Sequence, residues 1–150
     1  MTTHILIIAH APLASALKAC VVHVFPDAAN AVLAMDVESD QPLQALLDTA
    51  SNHIDKFNSD QVLVLTDVFG ATPCNVARKI VDGTRSKLVT GVNVPMLLRT
   101  VNYMHEPLDM LVERAIVGGT QCIMQVAISA PQNQIQVRLN HDQKQYDHHQ

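Results

Sequence analysis

Three residues of this chain stand where chemistry would need them. His10 closes the apolar run Ile5-Leu6-Ile7-Ile8-Ala9, and Ala11-Pro12-Leu13 opens a helical pattern behind it. Asp67 closes a second run that starts at Gln61, and Val68-Phe69-Gly70-Ala71-Thr72-Pro73-Cys74-Asn75 follows it. In a parallel α/β sheet, ligands and reacting groups collect at the carboxyl ends of strands. A carboxylate that accepts a hydrogen bond from one nitrogen of a histidine ring fixes its tautomer and leaves the other nitrogen as a nucleophile. Gly70, Ala71 and Thr72 lead into a helix whose free N–H groups and dipole favour an anion. Such a set can carry a phosphoryl group on an imidazole. Read alone, each residue has a plainer role. His10 and Asp67 would be polar strand ends, and Thr72 would be an N-cap with Pro73 at the first helical position.

The elements that must position these groups alternate along the chain. Short aliphatic runs at residues 4–9, 31–37, 62–66 and 87–92 read as strands. Helical stretches at 13–25, 42–57, 73–81 and 95–104 separate and follow them, and the run 108–117 continues until Gly118-Gly119. Strands alternating with helices predict βαβ units and a mainly parallel sheet with helices on both faces. In the order 2-1-3-4, the switch point falls between strands 1 and 3, which would bring His10 and Asp67 together. Gln121–Ile128 reads as a fifth strand. From Pro131 onward Gln, Asn, Asp and His dominate, which predicts a domain over 1–130 and a polar, mobile tail over 131–150. Within that tail, alternating Ile135, Val137 and Leu139 would suit a short edge strand.

Composition narrows the function classes. The 150 residues favour one domain, and 48% hydrophobic residues supply a core. No run approaches a membrane span, and no signal peptide is recognisable, so a cytoplasmic protein without membrane insertion is expected. A net charge of −4, no basic cluster and only 3% aromatics argue against nucleic acid. Cys20, Cys74 and Cys122 are too scattered for a disulfide framework. Among the 8 histidines, His4, His23, His53 and His105 lack ligand spacing, and His141, His148 and His149 lie in the tail. No metal and no cofactor is expected. The chain also has no Gly-x-Gly-x-x-Gly or P-loop. No acidic cluster follows the first strand, which disfavours a receiver domain.

The motif Val64-Leu65-Thr66-Asp67-Val68-Phe69-Gly70-Ala71-Thr72-Pro73-Cys74-Asn75-Val76-Ala77 resembles the core of mannose-type enzyme IIA components. These belong to the bacterial phosphoenolpyruvate-dependent phosphotransferase system. Gly91-Val92-Asn93-Val94-Pro95-Met96-Leu97 is similar to that family's second motif, and Ile7-Ile8-Ala9-His10 to its phosphorylation segment. The three segments occur in the family's order and span about residues 4–128. The resemblance implies an open parallel sheet with an antiparallel fifth edge strand exchanged between the subunits of a homodimer. It also implies a carrier that takes phosphate from the phosphocarrier HPr onto His10 and passes it to an enzyme IIB. Asp67 would orient the ring, and Gly70, Ala71 and Thr72 would hold the phosphate.

Some positions depart from the family pattern. Ala11 stands where Gly is frequent, and Gly70-Ala71-Thr72 replaces the usual Gly-Gly-Ser; both changes leave the reacting groups in place. Leu13, Val24 and Phe25 are apolar residues that could surround His10, while Phe69, Pro73 and Met96 are the expected docking contacts. No IIB domain follows in the sequence, so action in trans is expected, in association with a membrane permease complex or in a regulatory relay. The alternative is a regulatory binding protein whose phosphorylation state is read by a partner, with no onward transfer.

Overall fold

The computed structural model describes residues 2–58 and 60–128. Four strands, β1 (His4–His10), β2 (Val32–Val37), β3 (Val62–Thr66) and β4 (Ser86–Thr90), form one parallel sheet in the order β2-β1-β3-β4. Five helices connect or flank them: α1 (Leu13–Val24), α2 (Leu43–Asp55), α3 (Thr72–Ile80), α4 (Val94–Asn102) and α5 (Leu108–Thr120). The strand order and the alternation are those the sequence predicts.

Alternation within the strands sorts the core into two layers. Ile5, Ile7 and Ala9 of β1, with Leu63 and Leu65 of β3, pack against α1, α4 and α5. Leu6, Ile8, Val62 and Val64 face the other way, against α2 and α3. Because both faces are covered, β1 and β3 read as continuous aliphatic runs rather than alternating ones. Ile5–Ala9 are fully buried, and His10 is the first residue of β1 to emerge. α2 buries Leu46, Ala50 and Ile54, a spacing of four that puts all three on one stripe.

Helix starts differ from the sequence reading in detail. Pro42 caps α2 from outside, so the helix begins at Leu43. Pro73 and Pro95 stand at the second helical position, with Ala71 and Asn93 as N-caps. A first-turn proline loses nothing at either place, because those N–H groups have no intrahelical acceptor.

One expectation at the C-terminal side is corrected. Gly118-Gly119 does not end α5; both glycines are helical and buried. They are there for close approach. A Cβ on Gly118 would lie 2.7 Å from Arg99 Cβ, and one on Gly119 2.7 Å from Met96 Cε. The expected fifth strand is not shown among the described residues. Gln121 and Cys122 turn, and Ile123–Ile128 pair with no strand among the described residues, leaving Ile123, Met124, Val126 and Ile128 exposed. An apolar strand needs an edge to pair with, and this segment has none among the described residues. The tail over 131–150 and its edge strand lie outside the described residues.

Candidate phosphoryl-transfer site

β1 and β3 lie side by side, and the chain leaves them toward opposite faces, which opens a crevice at their carboxyl ends. His10 and Asp67 meet there. His10 Nδ1 lies 2.6 Å from Asp67 Oδ2, and the same oxygen accepts the His10 amide at 3.0 Å. Asp67 Oδ1 accepts the Val68 amide at 2.9 Å. With Nδ1 donating to a carboxylate, the ring keeps its lone pair on Nε2. The His10 side chain is 52% exposed, and that of Asp67 only 8%. The ring is therefore accessible while the carboxylate beside it is sealed.

Burial by itself would raise the Asp67 pKa. Hydrogen bonds from the His10 amide and ring and from the Val68 amide, with the His10 charge, outweigh it and hold the carboxyl below its usual range. Asp67 is thus a firm anion at neutral pH, able to hold Nδ1–H and to balance positive charge on the ring. Its backbone is fixed as well, since the Gly91 amide donates to the Asp67 carbonyl at 3.1 Å. Gly91 adopts φ 87°, a left-handed turn that glycine enters freely.

Beside the pair, Gly70 turns the chain at φ 82° and delivers it to the start of α3. Asn75 braces this loop, its amide donating to the Gly70 carbonyl at 3.1 Å. Thr72 is the first helical residue rather than the cap. The cap position falls to Ala71, which has no side-chain oxygen to offer, and Thr72 beside it is exposed. The expectation that Thr72 is the N-cap is corrected: Ala71 holds that position, and Thr72 lies one residue inside the helix. Gly70, Ala71 and Thr72 then lead into a helix N-terminus without a side-chain cap, after the strand that pairs with the one carrying His10.

The expected docking residues divide. Phe69 is 74% exposed, and Val68, Leu13 and Val94 are exposed beside it in sequence or at neighbouring strand ends. Met96 is only 4% exposed and lies in the core; Pro73 is buried as well. Neither presents its side chain to a partner in this chain. Met96 is turned inward by the same packing that brings Gly119 against it. Val24 and Phe25 sit at the far end of α1, about 16 Å along its axis from the site. Sequence reasoning assigned no role to Asn75 or Asn93, although both fall inside recognised motifs. Their spacing to a helix start was the available signal.

Comparison with known proteins agrees with this fold. The family described as "PTS system fructose IIA component", of the EIIA-man type, matches residues 4–116, and the chain belongs to that family. Membership supports a phosphotransfer role in a sugar phosphotransferase system. The mannose/sorbose-specific IIA subunit from Enterococcus faecalis superimposes with a TM-score of 0.75 at 20% identity, over 87% of this chain and 98% of that one. The component EIIA from Streptococcus agalactiae gives 0.71 at 22% identity, over 82% and 96%. The IIA protein associated with the fucose utilization operon of Streptococcus pneumoniae gives 0.73 at 20% identity, over 83% and 93%. At these identities the likeness is one of fold. No protein of curated function matches the sequence.

Proposed function

We propose that this chain is a phosphocarrier that accepts a phosphoryl group on His10 Nε2 from phosphorylated HPr and passes it to an enzyme IIB. The observation that carries the reading is the His10–Asp67 pair: an exposed ring with Nδ1 tied to a buried carboxylate. In-line transfer between two imidazoles asks the protein mainly to position and to stabilise charge. Asp67 keeps the attacking lone pair on Nε2 and stabilises the ring while it carries phosphate. The open end of α3, with the amides of the Gly70–Thr72 loop and the Thr72 hydroxyl, faces the phosphoryl oxygens. Exposed Phe69, Val68 and Leu13 give the incoming carrier an apolar rim.

The exposed apolar segment Ile123–Ile128 and the open outer edge of β4 support a homodimer in which that segment pairs with the sheet of a second copy. No helix among the described residues is long and apolar enough to cross a membrane. The carrier would work in the cytoplasm and dock transiently on a permease complex.

The deciding experiment is incorporation of labelled phosphate from phosphoenolpyruvate in the presence of enzyme I and HPr, with wild type beside His10→Ala. Acid-labile, alkali-stable label on wild type alone is the expected result. An unlabelled wild type would remove the carrier reading and favour a regulatory binding protein. Label that persists in His10→Ala would move the site to another histidine.

A further inference from the structure

Asn93 joins two parts of the molecule that the mechanism leaves unconnected. Its Oδ1 accepts the Met96 amide at 2.9 Å and caps α4. Its Nδ2 donates to the carbonyl of Gly119 at 2.9 Å, across 26 residues of chain. The same Gly119 carbonyl accepts the Cys122 thiol at 3.2 Å. Gly119 itself is wedged under Met96, where no side chain would fit without displacing it. On the other side of Asn93, the Val92 amide donates to the Thr66 carbonyl at 3.0 Å and the Gly91 amide to the Asp67 carbonyl at 3.1 Å. One side chain thus ties the strand end that carries Asp67 to the point where the C-terminal segment leaves α5.

A capping asparagine needs only its oxygen. The second bond is what a cap does not explain. It fixes the direction of the 91–93 turn, and that turn holds the Asp67 backbone. Asp67 must in turn hold the ring at a 2.6 Å contact, a geometry in which small displacements cost rate.

We propose that Asn93 is a positioning residue for the phosphoryl transfer at His10, acting through its bond to Gly119 rather than through its cap of α4. The proposal rests on the phosphocarrier reading. It also gives the exit of the C-terminal segment a physical hold on the site, because Cys122 and Asn93 share one carbonyl.

Asn93→Ser separates the two roles. Serine caps helices well but is too short to reach the Gly119 carbonyl. Asn93→Ala removes both bonds. The measurements are kcat and KM for phosphorylation by HPr, the melting temperature, and the 15N resonances of the His10 ring. Those resonances read the Nδ1–Asp67 hydrogen bond without any transfer, so they remain informative if the carrier reading fails. The expected result is that Asn93→Ser melts near wild type, shifts the ring resonances as Asn93→Ala does, and lowers kcat about tenfold with KM unchanged. Ring resonances and kcat at wild-type values in Asn93→Ser would overturn the proposal and leave only a cap. Should Asn93→Ala fail to fold, Asn93→Ser against wild type decides alone.

Discussion

Two helices begin at the crevice that holds His10, and their first turns differ. α1 starts just after His10, and its third residue, Ser15, gives both its amide and its hydroxyl to Asp36 of β2; the amide bond is 3.0 Å. That helix end is already occupied by an anion from the protein. α3 follows the loop after Asp67 with Ala71 as its cap, no capping side chain, and an exposed threonine as its first residue. Helix dipoles at the two ends favour negative charge equally. The chain fills one with its own carboxylate and leaves the other open. Under the proposed function, a phosphoryl group on His10 would be drawn toward α3, and away from Asp36 at α1 by like-charge repulsion.

The contrast can be broken by substitution at either end. Asp67→Ala, beside the open end, should keep the fold and slow phosphoryl transfer by about 10²-fold. A wild-type rate in a phosphorylation time course would take Asp67 out of the mechanism. Thr72→Val removes the hydroxyl and should slow transfer by roughly tenfold, the worth of one hydrogen bond to a charged group. Thr72→Ser should transfer normally. If valine and serine behave alike, the hydroxyl does not touch the phosphate.

At the closed end the effect should be on stability. Asp36→Ala deletes a helix cap and should cost about 1 kcal/mol, or about 2–4 °C in melting temperature, while His10 still accepts phosphate. A large loss of transfer in a well-folded Asp36→Ala protein would mean that the two ends are not divided as described.

The smallest effect concerns acid stability. The folded pKa of Asp67 is below its unfolded value. Its contribution to stability is therefore fully present above the unfolded pKa, near ~3.9, and is lost as pH falls through the folded value. Wild type should lose stability on acidification below about pH 4 more steeply than Asp67→Asn. Parallel denaturation midpoints for the two proteins across that range would show that the hydrogen bonds to Asp67 are not reflected in stability.

Much of the site was legible before any fold was known. The strand order rule alone puts the ends of β1 and β3 together, and both end in groups that could only be polar at an emerging position. Asp67 with Gly70-Ala71-Thr72 could be read as an anion site because turn, helix start and hydroxyl follow one another within a few residues. Legibility stopped where a residue's role depends on a distant neighbour. Met96 looks like any apolar residue near an active loop, and only the approach of Gly119 explains why it is buried. Gly118-Gly119 reads as a helix stop by local propensity, yet the pair continues α5 because contact with α4 leaves no room for side chains. Thr72 and Ala71 differ by one residue in cap position, a shift that local preference cannot resolve and that decides whether a hydroxyl stands at the cap.

By itself, the sequence determined the alternating strands and helices, the two-faced core and the pairing of His10 with Asp67. Periodicity and turn chemistry are local properties, and the handedness of βαβ units leaves only a few topologies open to them, among them the order 2-1-3-4. Tertiary structure alone decided which helix end stays open, which apolar residues reach the surface, and where Asn93 places its amide. Those outcomes depend on contacts between residues 21 to 26 positions apart, and no local pattern records them.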